Sequence, residues 1–195
     1  MTTKHFKDQI IDLDDLDSSF PKEVIQRSGV NLNTCLHCLS CAGGCEFSNN
    51  MDFLPNQMIR MVQLGLKNKA LSCSGIWFCV GCNTCSIQCP MGIDISTITD
   101  VLCQIALEKG IVVAEPHILK FHEEVLNSIK RYGRTHKLEI MFRYKLYKKD
   151  WFSDMGVGFK MLTKRKLDIL PSKISEPEEI KKFFQKNRMD NYAGQ

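Results

Sequence analysis

Residues 35–45 read CLHCLSCAGGC and residues 79–90 read CVGCNTCSIQCP. In both stretches four cysteines are separated by two, two and three residues. Cys35, Cys38, Cys41 and Cys45 are matched by Cys79, Cys82, Cys85 and Cys89, each 44 positions further on. A cube of four irons and four sulfides needs a thiolate on every iron, and three cysteines at this spacing can wrap one face of it in a tight loop. The fourth lies past a bend, and in two-cluster ferredoxins it reaches the other cluster. Applied here, a first [4Fe-4S] cluster takes Cys35, Cys38, Cys41 and Cys89. A second takes Cys79, Cys82, Cys85 and Cys45. Such an exchange ties the two stretches together through metal and brings the clusters close enough for one-electron transfer.

Other uses of cysteine fit less well. Structural zinc usually takes two C-x2-C halves separated by a longer loop, so that four ligands converge as a tetrahedron. Four cysteines within eleven residues, twice over, do not read that way. A disulfide framework suits a small secreted chain without a core. His37 stands between two ligands, but the cysteine set is complete without it. Cys73 and Cys103 lie outside both runs and read as small buried hydrophobes. Gly43, Gly44 and Gly81 would let backbone approach sulfur closely, and Pro90 fixes the bend after Cys89. Glu46 takes the corresponding place in the first run. Trp77 and Phe78 read as apolar shielding or as ordinary core, and Met91 as a neighbour of the same site.

Composition places these runs in an ordinary globular chain of 195 residues, 44% apolar and 25% charged. No apolar run approaches the ~20 residues of a membrane helix. The first residues, MTTKHFKDQIIDLDDLD, do not resemble a secretory signal. Ten cysteines without an export signal point to a reducing, cytoplasmic setting. The net charge of +4 is uneven. Residues 1–109 carry 8 Lys and Arg against 11 Asp and Glu, while residues 110–195 carry 18 against 11. Because its cations are interspersed with anions, the basic half reads as solvated helix faces or a surface for an acidic protein partner rather than a nucleic-acid site. Substrate motifs are absent. Gly156-x-Gly158 has Met161 where a dinucleotide fingerprint needs a third glycine, no phosphate-binding loop occurs, and His122-Glu123 lacks a second histidine because position 126 is Leu126. The chain thus has the ligands of redox centres and no evident site for an organic substrate or flavin.

The remaining pattern is helical. Pro55 to Ala70 carries Met58, Met61, Val62 and Leu66 at three- and four-residue steps. Asp94 is a natural N-cap for a stripe of Ile95, Ile98, Val101, Leu102, Ile105 and Ala106, and Gly110 a natural stop. Pro116 opens a stretch with Ile118, Phe121, Val125 and Ile129 on one face, ending near Gly133. Thr135 to Lys148 is a further helix, with Leu138, Met141, Phe142 and Leu146. Gly156 and Gly158 weaken any helix over Ser153 to Leu170, and Pro177 starts a last amphipathic piece. No sustained period-2 run suggests a sheet, so the fold class is all-α. Three regions follow: an N-terminal arm at 1–30, a cluster-binding domain at 31–110, and a basic helical extension at 111–195.

The segments TCLHCLSCAGGCEF and IWFCVGCNTCSIQCPMGIDI, with FHEEVLNSIKRYGR and GFKMLTKRKLDILPSKI downstream, resemble the C subunit of heterodisulfide reductase (HdrC) over roughly residues 30–172. The resemblance implies an α-helical ferredoxin fold with a helical C-terminal extension. It matches the eight cysteines, position by position, to the ligands of two [4Fe-4S] clusters. It implies an electron-transfer role without a catalytic residue in this chain. The chain would be set between a flavin- and iron–sulfur-containing partner, the A subunit, and a catalytic, disulfide-reducing partner, the B subunit. Without membrane helices in this chain a soluble complex is expected, with the basic extension as docking surface. Two other readings differ in class. One is the iron–sulfur subunit of another anaerobic oxidoreductase, such as a quinone-linked dehydrogenase. The other is an iron–sulfur sensor binding nucleic acid through the basic half, for which no helix-turn-helix pattern is present.

Overall fold

The path of the chain is seen in a computed structural model, which describes residues 16–148 together with Ile180, Lys182 and Phe184. Contacts divide the chain into two units, Met1–Ala114 and Glu115–Gln195. Among the described residues there is no strand, only an isolated antiparallel bridge between Leu16 and Leu66, so these residues are helical as the pattern implied. No helix among them is long and apolar enough to cross a membrane.

In the first unit, α1 (Phe20–Ser28), α2 (Ser40–Gly43), α3 (Pro55–Gln63), α4 (Lys67–Ser72), α5 (Gly75–Phe78), α6 (Thr84–Ile87) and α7 (Ile95–Glu108) surround one apolar centre. The spine is α7. Its stripe of Ile95, Ile98, Val101, Leu102, Ile105 and Ala106 is buried, and α1, α4 and α5 pack on it. Asp94 caps its start by accepting from Thr97 N–H at 3.2 Å, and Gly110, at φ 62°, closes its end. The expected arm is structured from Leu16 onward. Phe20 and Val24 of α1 have no exposed surface, and Lys67 binds Asp17 at 2.8 Å. Ile11 and Leu13 lie outside the described residues.

The single helix expected over Pro55–Ala70 is two, α3 and α4, with the break at Leu64–Leu66. Gly65 adopts φ 75°, and its carbonyl accepts from Asp17 N–H at 2.9 Å. A left-handed glycine terminates a helix where a run of apolar periodicity would have continued it.

The second unit holds α8 (Pro116–Tyr132), ended by Gly133 at φ 75°, and α9 (Lys137–Lys148), which packs on it. Both helices were expected, but the buried face of α8 was not. Phe121 is 42% exposed, while Glu124 and Ser128 are buried. Polar closure explains this. Lys120 holds Glu124 at 3.2 Å, and Ser128 Oγ accepts from His136 N–H at 2.8 Å where the chain turns back. Phe121 instead meets Tyr144 of α9 edge-on, 5.7 Å between ring centres. The Ser153–Leu170 segment lies outside the described residues. Within the piece opened by Pro177, Ile180, Lys182 and Phe184 are helical.

Candidate metal centre

The 44-residue repeat is one of backbone shape as well as spelling. Cys35 and Cys79 have nearly the same extended conformation, φ −64° and ψ 121° against φ −68° and ψ 119°. Two residues on, His37 and Gly81 take left-handed φ of 51° and 63°; two further on, Leu39 and Asn83 take 68° and 59°. Each run then enters a four-residue helix, α2 after Leu39 and α6 after Asn83. His37, Leu39 and Asn83 are the non-glycine residues with positive φ among the described residues, and all lie in these loops. Left-handed backbone costs a residue with a Cβ about 1–2 kcal/mol. Such strain persists where the surroundings over-determine it, commonly at ligand sites. Left-handed residues between right-handed neighbours turn successive N–H groups into a concave, anion-accepting surface. That surface suits a group ligated by four thiolates.

Hydroxyls repeat at the same interval. Cys38 Sγ lies 3.3 Å from Ser40 Oγ, and Cys82 Sγ 3.5 Å from Thr84 Oγ1. These contacts push the Cys38 and Cys82 thiols below their usual pKa and favour the ligating thiolate. Burial acts oppositely on the inner thiols, raising Cys41 to about 11 and also lifting Cys79 and Cys85. A buried thiol that must lose its proton needs a compensating cation, which a metal supplies.

The two runs meet where α2 packs on α6. A Cβ on Gly44 would fall 2.1 Å from Gln88 Oε1, and residue 88 is the repeat counterpart of residue 44. The two runs thus meet at equivalent positions. Two pockets flank that contact. One, of about 350 Å3, is lined by Cys35, Cys38, Cys41 and Cys89, with Ile59, Pro90 and Ile93 among its walls. The other, of about 440 Å3, is lined by Cys45, Cys79, Cys82 and Cys85, with Phe47, Met58 and Thr99. Each therefore gathers three cysteines of one run and the last cysteine of the other. Four sulfurs around a mostly apolar space, ringed by backbone N–H groups, fit an iron–sulfur cube.

Asp94 fastens the second run to the core. It accepts from Ser86 Oγ at 3.0 Å and from Ser96 Oγ at 2.7 Å, and from both N–H and hydroxyl of Thr97. These bonds, led by that from Ser96, hold its carboxyl at about 2. Because the folded pKa lies below the ~3.9 of an unfolded chain, the stabilisation is complete above about pH 4 and is lost as pH falls through about 2. Asp94→Ala is expected to cost about 2 kcal/mol through loss of the cap and its neighbouring bonds. Urea denaturation with and without iron checks this; an unchanged midpoint would show that Asp94 anchors nothing.

The remaining sequence expectations sort clearly. All ten cysteines are free. Cys73 is buried and Cys103 half-buried, donating to the carbonyls of Ala70 and Ile76, and burial raises both to about 12, so they behave as protonated packing groups. His37 lines the first pocket, but its Nε2 pairs with Gln63 Oε1 at 2.9 Å. Met91 lines the same pocket and is 42% exposed, whereas Trp77 belongs to the core at 4%. Ser40 and Thr84 were overlooked, although superposing the two runs places one over the other. Asn56 also lines the first pocket, with Oδ1 buried and unpartnered. Nothing in the local sequence singles it out.

Comparison with known proteins is consistent with these pockets. Residues 31–93 match the family described as the 4Fe-4S dicluster domain. The chain is similar to the C 2 iron–sulfur subunit of the CoB–CoM heterodisulfide reductase of Methanocaldococcus jannaschii, with 27% identity over 134 residues, 65% of this chain and 68% of that protein. It is similar to the C subunit of the H(2):CoB-CoM heterodisulfide,ferredoxin reductase of Methanothermobacter thermautotrophicus, 26% identical over 110 residues, 56% and 60% of the two chains. The C subunit of the ferredoxin:CoB-CoM heterodisulfide reductase of Methanosarcina mazei is 32% identical over 95 residues, 48% and 57%. The match thus spans 57–68% of the length of these relatives. The resemblance to the heterodisulfide reductase C subunit, first read from the cysteine runs, is shared by several curated proteins of that name.

Proposed function

We propose that this chain is the electron-transfer iron–sulfur subunit of a heterodisulfide-reductase-type complex. In this reading residues 31–110 form an α-helical ferredoxin domain. Cys35, Cys38, Cys41 and Cys89 hold one [4Fe-4S] cluster and Cys45, Cys79, Cys82 and Cys85 the other. Residues 1–30 form an arm. Residues 111–195 form the docking surface for the flavin-containing A subunit and the disulfide-reducing B subunit. The clusters supply sites that accept and release single electrons. The protein's own residues orient the thiolates, line the pockets with apolar side chains and donate N–H groups toward sulfur. The placement is cytoplasmic, where thiols stay reduced.

One observation carries this reading: each pocket is lined by three cysteines of one run and the fourth of the other. No group elsewhere in the sequence offers substrate chemistry, so a relay between other subunits is the function the chain supports. Anaerobic purification with partner identification tests it. About eight irons and eight labile sulfides per chain are expected, together with co-purifying flavin and disulfide-reducing subunits. Reduction of a heterodisulfide by the isolated, reconstituted chain with a dye donor would overturn the relay. Co-purification with a quinone-reactive enzyme would move the chain to the other oxidoreductase class.

A further inference from the structure

One side chain of α3 grips the first cysteine run on both sides of its leading ligand. Gln63 Nε2 donates at 2.7 Å to the carbonyl of Leu32, which precedes Cys35, and Gln63 Oε1 lies 2.9 Å from Nε2 of His37, which follows it. The partners fix how the amide is turned. A carbonyl can only accept, so the amide nitrogen faces Leu32. The Arg60 guanidinium can only donate, and it reaches Oε1 at 3.3 Å. The ring nitrogen that meets Oε1 is therefore a donor, and His37 carries a proton on Nε2. His37 is half-buried and belongs to the wall of the pocket that gathers Cys35, Cys38, Cys41 and Cys89.

The first run needs such a hold more than the second does. Its left-handed positions are filled by His37 and Leu39, each with a Cβ that this backbone disfavours. The second run places Gly81 and Asn83 there, the residue types that adopt it at least cost. Gly81 also has no side chain by which to be held. Ahead of Cys79, the Ile76 carbonyl accepts from the Cys103 thiol at 3.3 Å, and a thiol is a weak donor. Near its other end the second run is fastened by Ser86, which donates to Asp94 at 3.0 Å.

We infer that Gln63 is the positioning residue of the Cys35, Cys38, Cys41 and Cys89 centre: through His37 and the Leu32 carbonyl it holds the strained loop between Cys35 and Cys38 in the shape that ligates iron. This rests on the ligand assignment proposed above. Without the amide, His37 is free to leave the left-handed region, and its departure carries Cys35 and Cys38 out of register with a cube. The Cys45, Cys79, Cys82 and Cys85 centre has no such dependence, because its loop takes the same turn with residues that adopt it unaided. Cutting the hold therefore loosens iron in one centre and leaves the other as it was.

Iron release from the anaerobic, cluster-loaded full chain to an excess of chelator tests this. Gln63→Met keeps the length of the side chain without its hydrogen bonds. It is expected to release half of the iron about fivefold faster, as the loss of one neutral hydrogen bond implies, and the other half at the unsubstituted rate. Combined with His37→Gly, the same change is expected to act less than additively, because the ring it holds is gone. In a chain with Cys38→Ala and Cys89→Ala, which keeps the second centre alone, release is expected to be indifferent to residue 63. Equal acceleration of all the iron together with a lower urea midpoint would show a general packing role and overturn the inference. Strict additivity with His37→Gly, or release from the full chain that ignores residue 63, would overturn it too. Iron and sulfide counts before the challenge keep the two levels apart. About eight of each with a failed release pattern defeats this inference alone, while a chain that loads fewer defeats the ligand assignment and this inference with it.

Discussion

A chain carrying both Cys38→Ala and Cys89→Ala is expected to keep one intact four-iron cluster, whereas Cys38→Ala with Cys45→Ala is expected to keep none. The reason is the exchange of fourth ligands. Cys38 and Cys89 line the same pocket although 51 positions separate them, while Cys38 and Cys45 lie in one run and line different pockets. The first pair of changes therefore spoils one site twice, and the second spoils both sites once. If each run instead ligated its own cluster, the two results would be interchanged. The readout is the number of intact clusters by iron and sulfide analysis and by the spin count after reduction. A cube lacking one thiolate exposes an iron to solvent and to exchange, so it no longer counts as an intact four-iron cluster.

Gly65→Ala is expected to destabilise the protein by about 3 kcal/mol, the sum of left-handed strain and overpacking. Position 65 has φ 75°, and an added Cβ would stand 2.6 Å from the backbone oxygen of Asp17. That oxygen cannot retreat cheaply. The backbone around Asp17 is tied down by its N–H to the Gly65 carbonyl at 2.9 Å and by its side chain to Lys67 at 2.8 Å. Gly29 provides the control, since it has a similar φ of 69° with nothing within 4 Å of the added atom. Gly29→Ala is expected to cost only about 1 kcal/mol. Equal losses at the two positions in thermal or urea melts would show that the Asp17 contact contributes nothing.

Much of the fold was legible where local signals agreed with burial. The helix of Ile95–Glu108 has a cap at Asp94, a regular apolar stripe and a glycine stop, and the fold uses all three. Pro116 and Gly133 bracket α8 for the same reason. Legibility failed where a distant group decided the outcome. Gly65 ends α3 inside a periodic apolar run because residues near Asp17 close over it. The hairpin of α8 and α9 buries Glu124 and Ser128 in place of Phe121, because ion pairs and a turn back onto Ser128 compete with apolar contact. Periodicity counts apolar residues and is blind to such pairs.

The cysteine spacing alone determined which atoms could grip iron and how the chain must loop around them, because ligand geometry over a few residues is a local property of the backbone. Its 44-residue recurrence likewise announced two like sites. Tertiary structure decided what lies beside each site: that Gly44 meets Gln88, that Asn56 and Ile59 wall the pocket of Cys35, Cys38, Cys41 and Cys89, and that Met58 and Thr99 wall the other. Those neighbours come from helices far away along the chain, and only packing brings them within the few ångströms over which hydrogen bonds and unscreened charges act.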